Sequence, residues 1–503
     1  ANLRDWEVAV RGTPDAVEAA VAAERAVARA LADPERYRTA RALLDDPAGS
    51  DPALRRALTL FVLRATEMQL PEPVLDELVA RAKAIEATFS TFRPEWEGRR
   101  ASPNDLLAAL RTERDVERRR TAWEASQTVA AAVADPLREL ATLRNDAARR
   151  LGFRDYYALR LHLQEIDERE LFEFLEQVER ATDAPYATVK ARIDEALAAR
   201  YGIAAGELRP WHYEDPFVQE APQVFGAELD PLFRGRDLLA VARAYTDALG
   251  FRLDPVWARS DWTEREAKNP HAFCTDIDRS GDVRILANLR DDFVSMGTLL
   301  HELGHAAYDL HIPRGLPWWL RTAAHISTTE GIALWMERAA LDPRWWRAWL
   351  GLPSDAVDPL APAARQMARA QALLTARWVL VMTHFERAFY ADPAREDLDR
   401  LWWDLVERFQ RVRRPERRRA PDWAAKIHLT SSPVYYHNYL LGQCTAAQLA
   451  GAMPPCTPDA PAPCGRFLVD RVFAHGAALH WQELLERATG HRLRPEAFVA
   501  EVR

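Results

Sequence analysis

Apolar residues recur at spacings of three and four through the first two hundred residues, and arginine and glutamate fill many of the positions between them. This spacing places apolar side chains on one face of an α-helix. Prolines interrupt the pattern, so residues 1–200 predict a series of helices with short connections. Two clear examples of the spacing are Leu106, Leu107 and Leu110, and then Leu171, Phe172, Leu175 and Val178.

Alternation of apolar and polar residues is scarce. The best case is residues 282–286, which follow a turn at 278–281 and predict a strand of a small hairpin. Residues 205–235 are richer in proline and aromatic residues and predict a loop or cleft wall. We therefore expect a mostly α fold with one small β-sheet.

Residues 301–305 read HELGH inside an apolar helical pattern. His301 and His305 would lie one turn apart on one helix face, where neutral imidazoles bind Zn²⁺ well. Glu330, in the next helical pattern, would be the third ligand and would leave one coordination position open. Glu302 would lie beside that position and accept a proton from water. We expect Ser327, Thr328 or Thr329 to cap the start of the helix that carries Glu330. Gly304 suits a helix face crowded by metal or by a neighbouring backbone.

The 503 residues are 48% hydrophobic and 28% charged, which is typical of a soluble globular protein. A net charge of −8 argues against nucleic acid as a partner. No apolar run reaches the roughly 18 residues of a membrane-spanning helix.

The compartment is not decided by the sequence, and both cytoplasm and export are open. The chain begins at Ala1 rather than Met, from which we expect that an N-terminal segment was removed. Cys456 and Cys464 bracket a proline-rich loop, where a disulfide would indicate an oxidising compartment. Two free thiols are the equal alternative.

A second group of polar residues lies near the C-terminus: Lys426, His428, Tyr435, Tyr436 and Tyr439. Tyrosine and histidine can donate hydrogen bonds to an oxyanion, and a lysine can bind a carboxylate. Tyr436 and Tyr439 would share a face of a helix over residues 436–441. Read alone, such a group is more often core, and a lysine's stem often packs on a neighbouring tryptophan.

The pattern Lys-x-His, proline, Tyr-x-x-Tyr resembles the C-terminal part of the peptidyl-dipeptidase A family, the family of angiotensin-converting enzyme. His271-Ala272-Phe273, residues 282–285 and HELGH follow in that family's order at similar spacing. Residues 316–321 and 145–153 also resemble segments of the family. The resemblance covers most of the chain and is strongest from about 270 to 440.

The resemblance implies a two-lobed helical shell around a deep substrate channel, with the small β-sheet beside the zinc helix. Residues 1–503 would form a single metallopeptidase domain. Within it, residues 1–205 would be a helical lobe forming channel wall and lid. Residues 206–503 would be the catalytic lobe with the zinc site and the C-terminal substrate-binding helices.

The resemblance also assigns roles to residues. It implies Zn²⁺ held by His301, His305 and Glu330, with Glu302 as the base. Tyr439 would stabilise the oxyanion, and His428 would bind the substrate backbone near it. Four further residues would bind substrate: His271 and Ala272 along its backbone, and Lys426 and Tyr436 at its terminal carboxylate.

The chain departs from that family at several positions. Glu330 lies one residue further from HELGH, a spacing that matches the related thimet oligopeptidase and oligoendopeptidase group. One extra residue separates His428 from the tyrosine pair. Leu334 stands where an acidic residue is expected, so Glu337 or Asp309 would replace it beside the metal ligands. Gln219 is the candidate for the glutamine of the carboxylate site.

Together these features predict a zinc metallopeptidase that acts on short unfolded peptides and releases C-terminal dipeptides. An oligoendopeptidase that cuts internal bonds is the main alternative. A non-catalytic peptide-binding relative and a zinc enzyme acting on another bond remain open. The sequence predicts neither the natural substrate, the chloride dependence nor the oligomeric state.

Overall fold

The computed structural model describes residues 1–46, 51–226 and 228–503. The chain is 68% helical, which confirms the mostly α prediction. The first ten α-helices of the described residues are α1 (Asn2–Arg11), α2 (Pro14–Leu31), α3 (Pro34–Asp45), α4 (Pro52–Thr66), α5 (Glu72–Thr91), α6 (Pro103–Thr112), α7 (Val116–Gln127), α8 (Val129–Arg150), α9 (Tyr156–Leu163) and α10 (Glu168–Tyr201).

The remaining α-helices follow a segment of loops and short 3₁₀ turns that agrees with the loop expected at 205–235. They are α11 (Leu238–Leu249), α12 (Asp254–Arg259), α13 (Phe293–His311), α14 (Ile326–Glu337), α15 (Pro343–Leu350), α16 (Ser354–Val357), α17 (Ala361–Ala391), α18 (Leu398–Gln410), α19 (His428–Ser431), α20 (His437–Ala452), α21 (Ala462–Arg471), α22 (Trp481–Thr489) and α23 (Glu496–Val502).

Two antiparallel hairpins supply the strands of the described residues. Strands β1 (Glu95–Trp96) and β2 (Arg99–Arg100) form the first, which the sequence pattern did not predict. Strands β3 (Phe273–Asp276) and β4 (Val283–Leu286) form the second, with Phe273 opposite Leu286. The strand expected at 282–286 is therefore present as β4 and begins one residue later.

The chain divides into two compact units that each draw on separate stretches of sequence. The first contains Ala1–Gln69, Ala227–Gln366 and Leu441–Glu501. The second contains Leu70–Gly226, Met367–Leu440 and Val502–Arg503. The HELGH segment lies in the first unit, and the lysine–histidine–tyrosine group lies in the second. The predicted lobes at 1–205 and 206–503, and the channel, stay predictions.

In the first unit, α13 is the central helix. Asp292 caps its start by accepting a hydrogen bond from the Ser295 N–H at 2.7 Å. Leu299, Leu300 and Leu303 are fully buried along it. This apolar face explains why a helix that carries polar metal-binding side chains is nevertheless fixed in the interior of the unit.

The β3–β4 hairpin lies beside α13 and is covered by the N-terminal helix. The Trp6 ring of α1 meets the Phe273 ring edge-on, with centroids 6.1 Å apart. The Asn2 side chain donates a hydrogen bond to the Asp276 carbonyl at 2.7 Å. The hairpin is therefore held from both sides within this unit.

A disulfide joins Cys456, in the loop before α21, to Cys464 in the first turn of that helix, while Cys274 and Cys444 are free thiols. Among the described residues, no helix combines the length and the apolar character needed to cross a membrane.

Candidate active site

The side chains of His301, His305 and Glu330 converge between α13 and α14. Their potential ligand atoms all lie within 4.8 Å of one another. The two Nε2 atoms are 3.3 Å apart, and His301 Nε2 lies 3.7 Å from a Glu330 carboxylate oxygen. Two imidazoles and one carboxylate form the donor set of catalytic zinc sites with an open position.

Close packing of two helix backbones brings these side chains together. A Cβ added to Gly304 would lie 2.7 Å from the Cα of Ala333, so only glycine permits α13 to approach α14 this closely. On the other side of α14, a Cβ added to Gly442 of α20 would lie 3.0 Å from the Cβ of Glu330. The sequence suggested that Gly304 faces either a metal or a neighbouring backbone, and the backbone it faces is that of α14.

Each histidine is oriented by a partner on its other ring nitrogen. Nδ1 of His301 is 2.9 Å from the Glu337 carboxylate, and Nδ1 of His305 is 2.7 Å from the Thr329 hydroxyl. Partners of this kind fix the ring orientation and leave Nε2 for a metal. Glu337, two helical turns after Glu330, supplies the carboxylate that Leu334 cannot provide.

The titration behaviour of the histidines also fits a cation site. Burial lowers the pKa of His305 to about 3, so its imidazole is neutral and able to bind a metal. Burial is the largest single influence on His301 and lowers its pKa, but the hydrogen bond to Glu337 and the charges of Glu337, Glu302 and Glu330 together outweigh it and raise the pKa to about 9. The carboxylates around His301 therefore favour positive charge at this place, and the residues fit Zn²⁺.

Glu302 lies on α13 facing β3. Its side chain is only 7% exposed, and its carboxylate accepts a hydrogen bond from the backbone N–H of Cys274. Burial is the main reason that its pKa is raised to about 7. A carboxyl group with this pKa can both accept and release a proton near neutral pH.

His271 and Ala272 immediately precede β3. His271 is exposed, and its backbone N–H bonds to the Asn269 side chain at 2.9 Å. Strand β3 pairs with β4 along one edge. Both residues therefore lie directly before the hairpin that packs beside α13, and their role in binding substrate stays a prediction.

The start of α14 differs from the sequence prediction in its capping residue. The helix begins at Ile326, and the His325 side chain accepts the N–H of Ser327 at 3.0 Å. Ser327, Thr328 and Thr329 were the expected caps, but the helix starts too early for any of them. The Thr329 hydroxyl instead bonds to His305.

In the second unit, Lys426 is buried among aromatic rings. Its ammonium nitrogen lies 4.9 Å from the ring centre of Phe217, 5.3 Å from that of Trp378 and 5.8 Å from that of Tyr436. It donates a hydrogen bond to the Gln219 side-chain oxygen at 2.9 Å. Within the described part of the chain, no carboxylate comes within ion-pair distance of it.

Burial is the main influence on the pKa of Lys426. It lowers that pKa to about 8, against the opposing attraction of Asp215 and Glu220. The same burial, helped by the charge of Lys426, lowers the pKa of His428 to about 4. The cluster thus holds one cation and one neutral imidazole at neutral pH.

Gln219 belongs to an irregular segment that other side chains hold in place. Its backbone N–H bonds to the Asp215 carboxylate at 3.0 Å, and its carbonyl accepts a hydrogen bond from Gln371 at 3.1 Å. Gln410 donates to the carbonyls of Phe217 and Val218, each at 2.9 Å. These hydrogen bonds fix the backbone of the segment and so place the Gln219 side chain against Lys426.

The tyrosine pair lies beside this cluster. The ring centres of His428 and Tyr436 are 4.8 Å apart, and those of Tyr436 and Tyr439 are 5.5 Å apart. Helix α20 begins at His437, one residue later than expected, so Tyr436 precedes it and Tyr439 lies in its first turn. Tyr436 is buried, whereas Tyr439 is half-buried.

Sequence reasoning anticipated most of these residues but not their partners. Glu337 was one of two candidates, and Gln219 was proposed without a known contact. Asp215, Gln371 and Gln410 were missed, because Asp215 lies in an irregular segment that Gln371 and Gln410 join to the distant helices α17 and α18, and local spacing carries no signal of such contacts.

Comparison with known proteins gives one family match. Residues 109–311 match the family model described as Peptidase family M3. The matched stretch runs from the helices of the second unit to the end of α13 and so includes HELGH. The match indicates a zinc metallopeptidase of the gluzincin class and supports zinc-dependent hydrolysis of peptides. No curated protein matches the chain.

Proposed function

We propose that this protein is a zinc peptidase that releases dipeptides from the C-terminus of short unfolded peptides. His301, His305 and Glu330 would hold the metal, for which the supporting observation is the convergence of their ligand atoms. Bound zinc supplies Lewis-acid chemistry that lowers the pKa of water and polarises a peptide carbonyl.

The protein's own groups would move the protons and bind the developing charge. Glu302 would take the proton from the attacking water and pass it to the leaving amine, which its pKa of about 7 suits. Tyr439 would donate its hydroxyl hydrogen to the oxyanion, with neutral His428 donating to the substrate backbone. His271 and Ala272 would bind the substrate backbone along the hairpin.

The observation that carries the dipeptide assignment is Lys426. A buried ammonium without a carboxylate partner is costly, and a bound anion would relieve that cost. Lys426, Gln219 and Tyr436 together offer a cation and two neutral polar groups for the terminal carboxylate of a peptide. An anchor of this kind would fix which bond is cut.

The second candidate is an oligoendopeptidase that cuts internal bonds of short peptides. The match to Peptidase family M3 and the spacing of Glu330 after HELGH favour it. In that case Lys426 would have no part in choosing the bond. The intact set His301, Glu302, His305 and Glu330 speaks against a non-catalytic relative.

Two substrates and one variant distinguish these candidates. Each substrate is the same peptide, with a free or an amidated C-terminus. We expect the native enzyme to cleave the free acid far better, and Lys426→Ala to lower cleavage of the acid while changing that of the amide little. Equal cleavage of both substrates by the native enzyme at internal bonds would favour the oligoendopeptidase.

A further inference from the structure

Val434 has a backbone conformation that valine rarely adopts. Its φ is 55°, in the left-handed region, where a β-branched side chain meets its own backbone. Val434 is also almost fully buried at 1% exposure. A strained residue of this kind persists only where its surroundings enforce it, and such places tend to be functional.

Two side chains hold the peptide groups of Val434. The Glu386 carboxylate accepts its N–H at 2.8 Å, and Gln164 donates its side-chain amide to its carbonyl at 3.0 Å. Neither bond belongs to a helix or a sheet. The turn before α20 is therefore shaped by groups from α17 and from the end of α9.

Gln164 also holds the other end of the same turn. Its side-chain oxygen accepts a hydrogen bond from the Asn438 amide at 2.7 Å and lies 3.1 Å from Nε2 of His437. His437 and Asn438 are buried and are the first two residues of α20. One amide group thus joins Val434 to the residues directly before Tyr439.

A third side chain extends this support toward His428. The Arg144 guanidinium of α8 donates to the carbonyls of Leu429 and Thr430 at 2.9 and 2.7 Å. It lies 3.0 Å from the Tyr390 hydroxyl as well. Polar side chains from α8, from the end of α9 and from α17 thus hold five positions between His428 and Tyr439, namely Leu429, Thr430, Val434, His437 and Asn438.

We propose that Gln164 is a positioning residue that sets the placement of the Tyr439 hydroxyl, by joining Val434 to His437 and Asn438 across the strained turn. The inference rests on the proposed function, in which Tyr439 stabilises the oxyanion. Gln164 itself would not touch the substrate. A displacement of about 1 Å at a catalytic group can cost roughly 10²-fold in rate.

The test is a double-mutant cycle of Gln164→Leu and Tyr439→Phe, with kcat and KM measured on one free-acid peptide. Tyr439→Phe alone should lower kcat by roughly 10²–10³-fold. Gln164→Leu alone should lower kcat by about 10²-fold with little change in KM. In the Gln164→Leu background, Tyr439→Phe should lower kcat by less than about a further tenfold, because the Tyr439 hydroxyl is already misplaced.

A matched control separates positioning from general stability. Gln448 is a buried glutamine of α20 that likewise makes several bonds, to Thr489, His491, Arg492 and Arg494. Gln448→Leu should lower the melting temperature as Gln164→Leu does but leave kcat unchanged. Should Gln164→Leu not fold, Gln164→Glu keeps the acceptor for Asn438 but replaces the donor to Val434 with a carboxylate oxygen, and it should give a loss of kcat of the same kind.

The outcomes are distinct. Full additivity of the two substitutions, or an unchanged kcat in a folded Gln164 variant, overturns the positioning role while the proposed function stands. An unchanged kcat in Tyr439→Phe alone overturns both this inference and the oxyanion role of Tyr439. Coupling between the two sites, with no kcat effect of Gln448→Leu, supports the inference.

Discussion

At the scale of single residues, the structure identifies Glu337, rather than Asp309, as the carboxylate beside the candidate metal ligands. Its carboxylate is 2.9 Å from Nδ1 of His301. Glu337→Gln keeps an acceptor there but removes the charge, so we expect zinc affinity to fall by roughly 10–100-fold. Competition with a chelator of known affinity measures this directly.

Asp309 provides the control for Glu337. It was the other acidic candidate from the sequence, and it lies one turn beyond His305 on the same helix. Asp309→Asn should leave zinc affinity close to that of the native chain. If Asp309→Asn weakens zinc and Glu337→Gln does not, the assignment of the carboxylate beside His301 is wrong.

Lys426 predicts a pH dependence of substrate preference. Below its pKa of about 8 the ammonium is charged and attracts a substrate carboxylate, and above that pH the amine is neutral. The kcat/KM for a free-acid peptide should therefore fall as the pH rises through about 8, relative to that for the amidated peptide. A ratio of the two values that stays constant from pH 6.5 to about 9.5 would contradict the anchor.

Lys426→Arg is the matched variant for this titration. Arginine stays charged throughout that range, so any preference for the free acid that survives the substitution should no longer depend on pH. His428 and Tyr436 face Lys426, but their pKa values are shifted away from this range by burial, to about 4 and upward respectively.

The residues themselves show where sequence reasoning ends. HELGH could be recognised because residues four apart lie on one helix face, and Glu330 because its spacing after HELGH resembles that of a known group of peptidases. The choice between Glu337 and Asp309 could not be made, since it depends on the rotation of α14 against α13. The contact of Lys426 with Gln219 joins positions 207 residues apart, and no local pattern reports such a contact.

At the scale of elements, the approach of α13 to α14 predicts the effect of Gly304→Ala. Alanine favours a helix by about 1 kcal/mol over glycine, yet its Cβ would lie 2.7 Å from the Cα of Ala333. Overpacking of this kind typically costs about 1–3 kcal/mol. We expect a lower melting temperature and weaker zinc binding, because α14 carries Glu330.

Gly315 serves as the control for Gly304. A Cβ added at Gly315 would meet no atom within 4 Å. Gly315→Ala should change the free energy of unfolding by no more than about 0.5 kcal/mol. Equal stability and zinc affinity in the Gly304→Ala variant would show that the two helices are not held as closely as the structure indicates.

The elements were predictable where periodicity was long. The helical pattern through residue 200 and the strand at β4 follow directly from spacing. The β1–β2 hairpin was missed because each strand has two residues, and its turn depends on positive φ at Glu97 and Gly98. The cap of α14 was missed because a histidine seldom serves there.

At the scale of the whole molecule, the sequence predicts the mostly α fold but not the assembly of its units. Each unit draws on at least two distant stretches of chain, and a pattern read in local windows reports no contact of that range. The candidate metal site and the candidate carboxylate site lie one in each unit. Peptide cleavage must therefore be measured with the full chain rather than with either unit alone.

The most direct measurement is the set of first products from an unblocked decapeptide, identified by mass spectrometry. The zinc-loaded enzyme should release the C-terminal dipeptide and an octapeptide first. Removal of zinc should abolish cleavage and its return should restore it, while Glu302→Gln should retain zinc and lose roughly 10²–10⁴-fold in turnover. Internal fragments without a released dipeptide, or cleavage that persists without metal, would contradict the account.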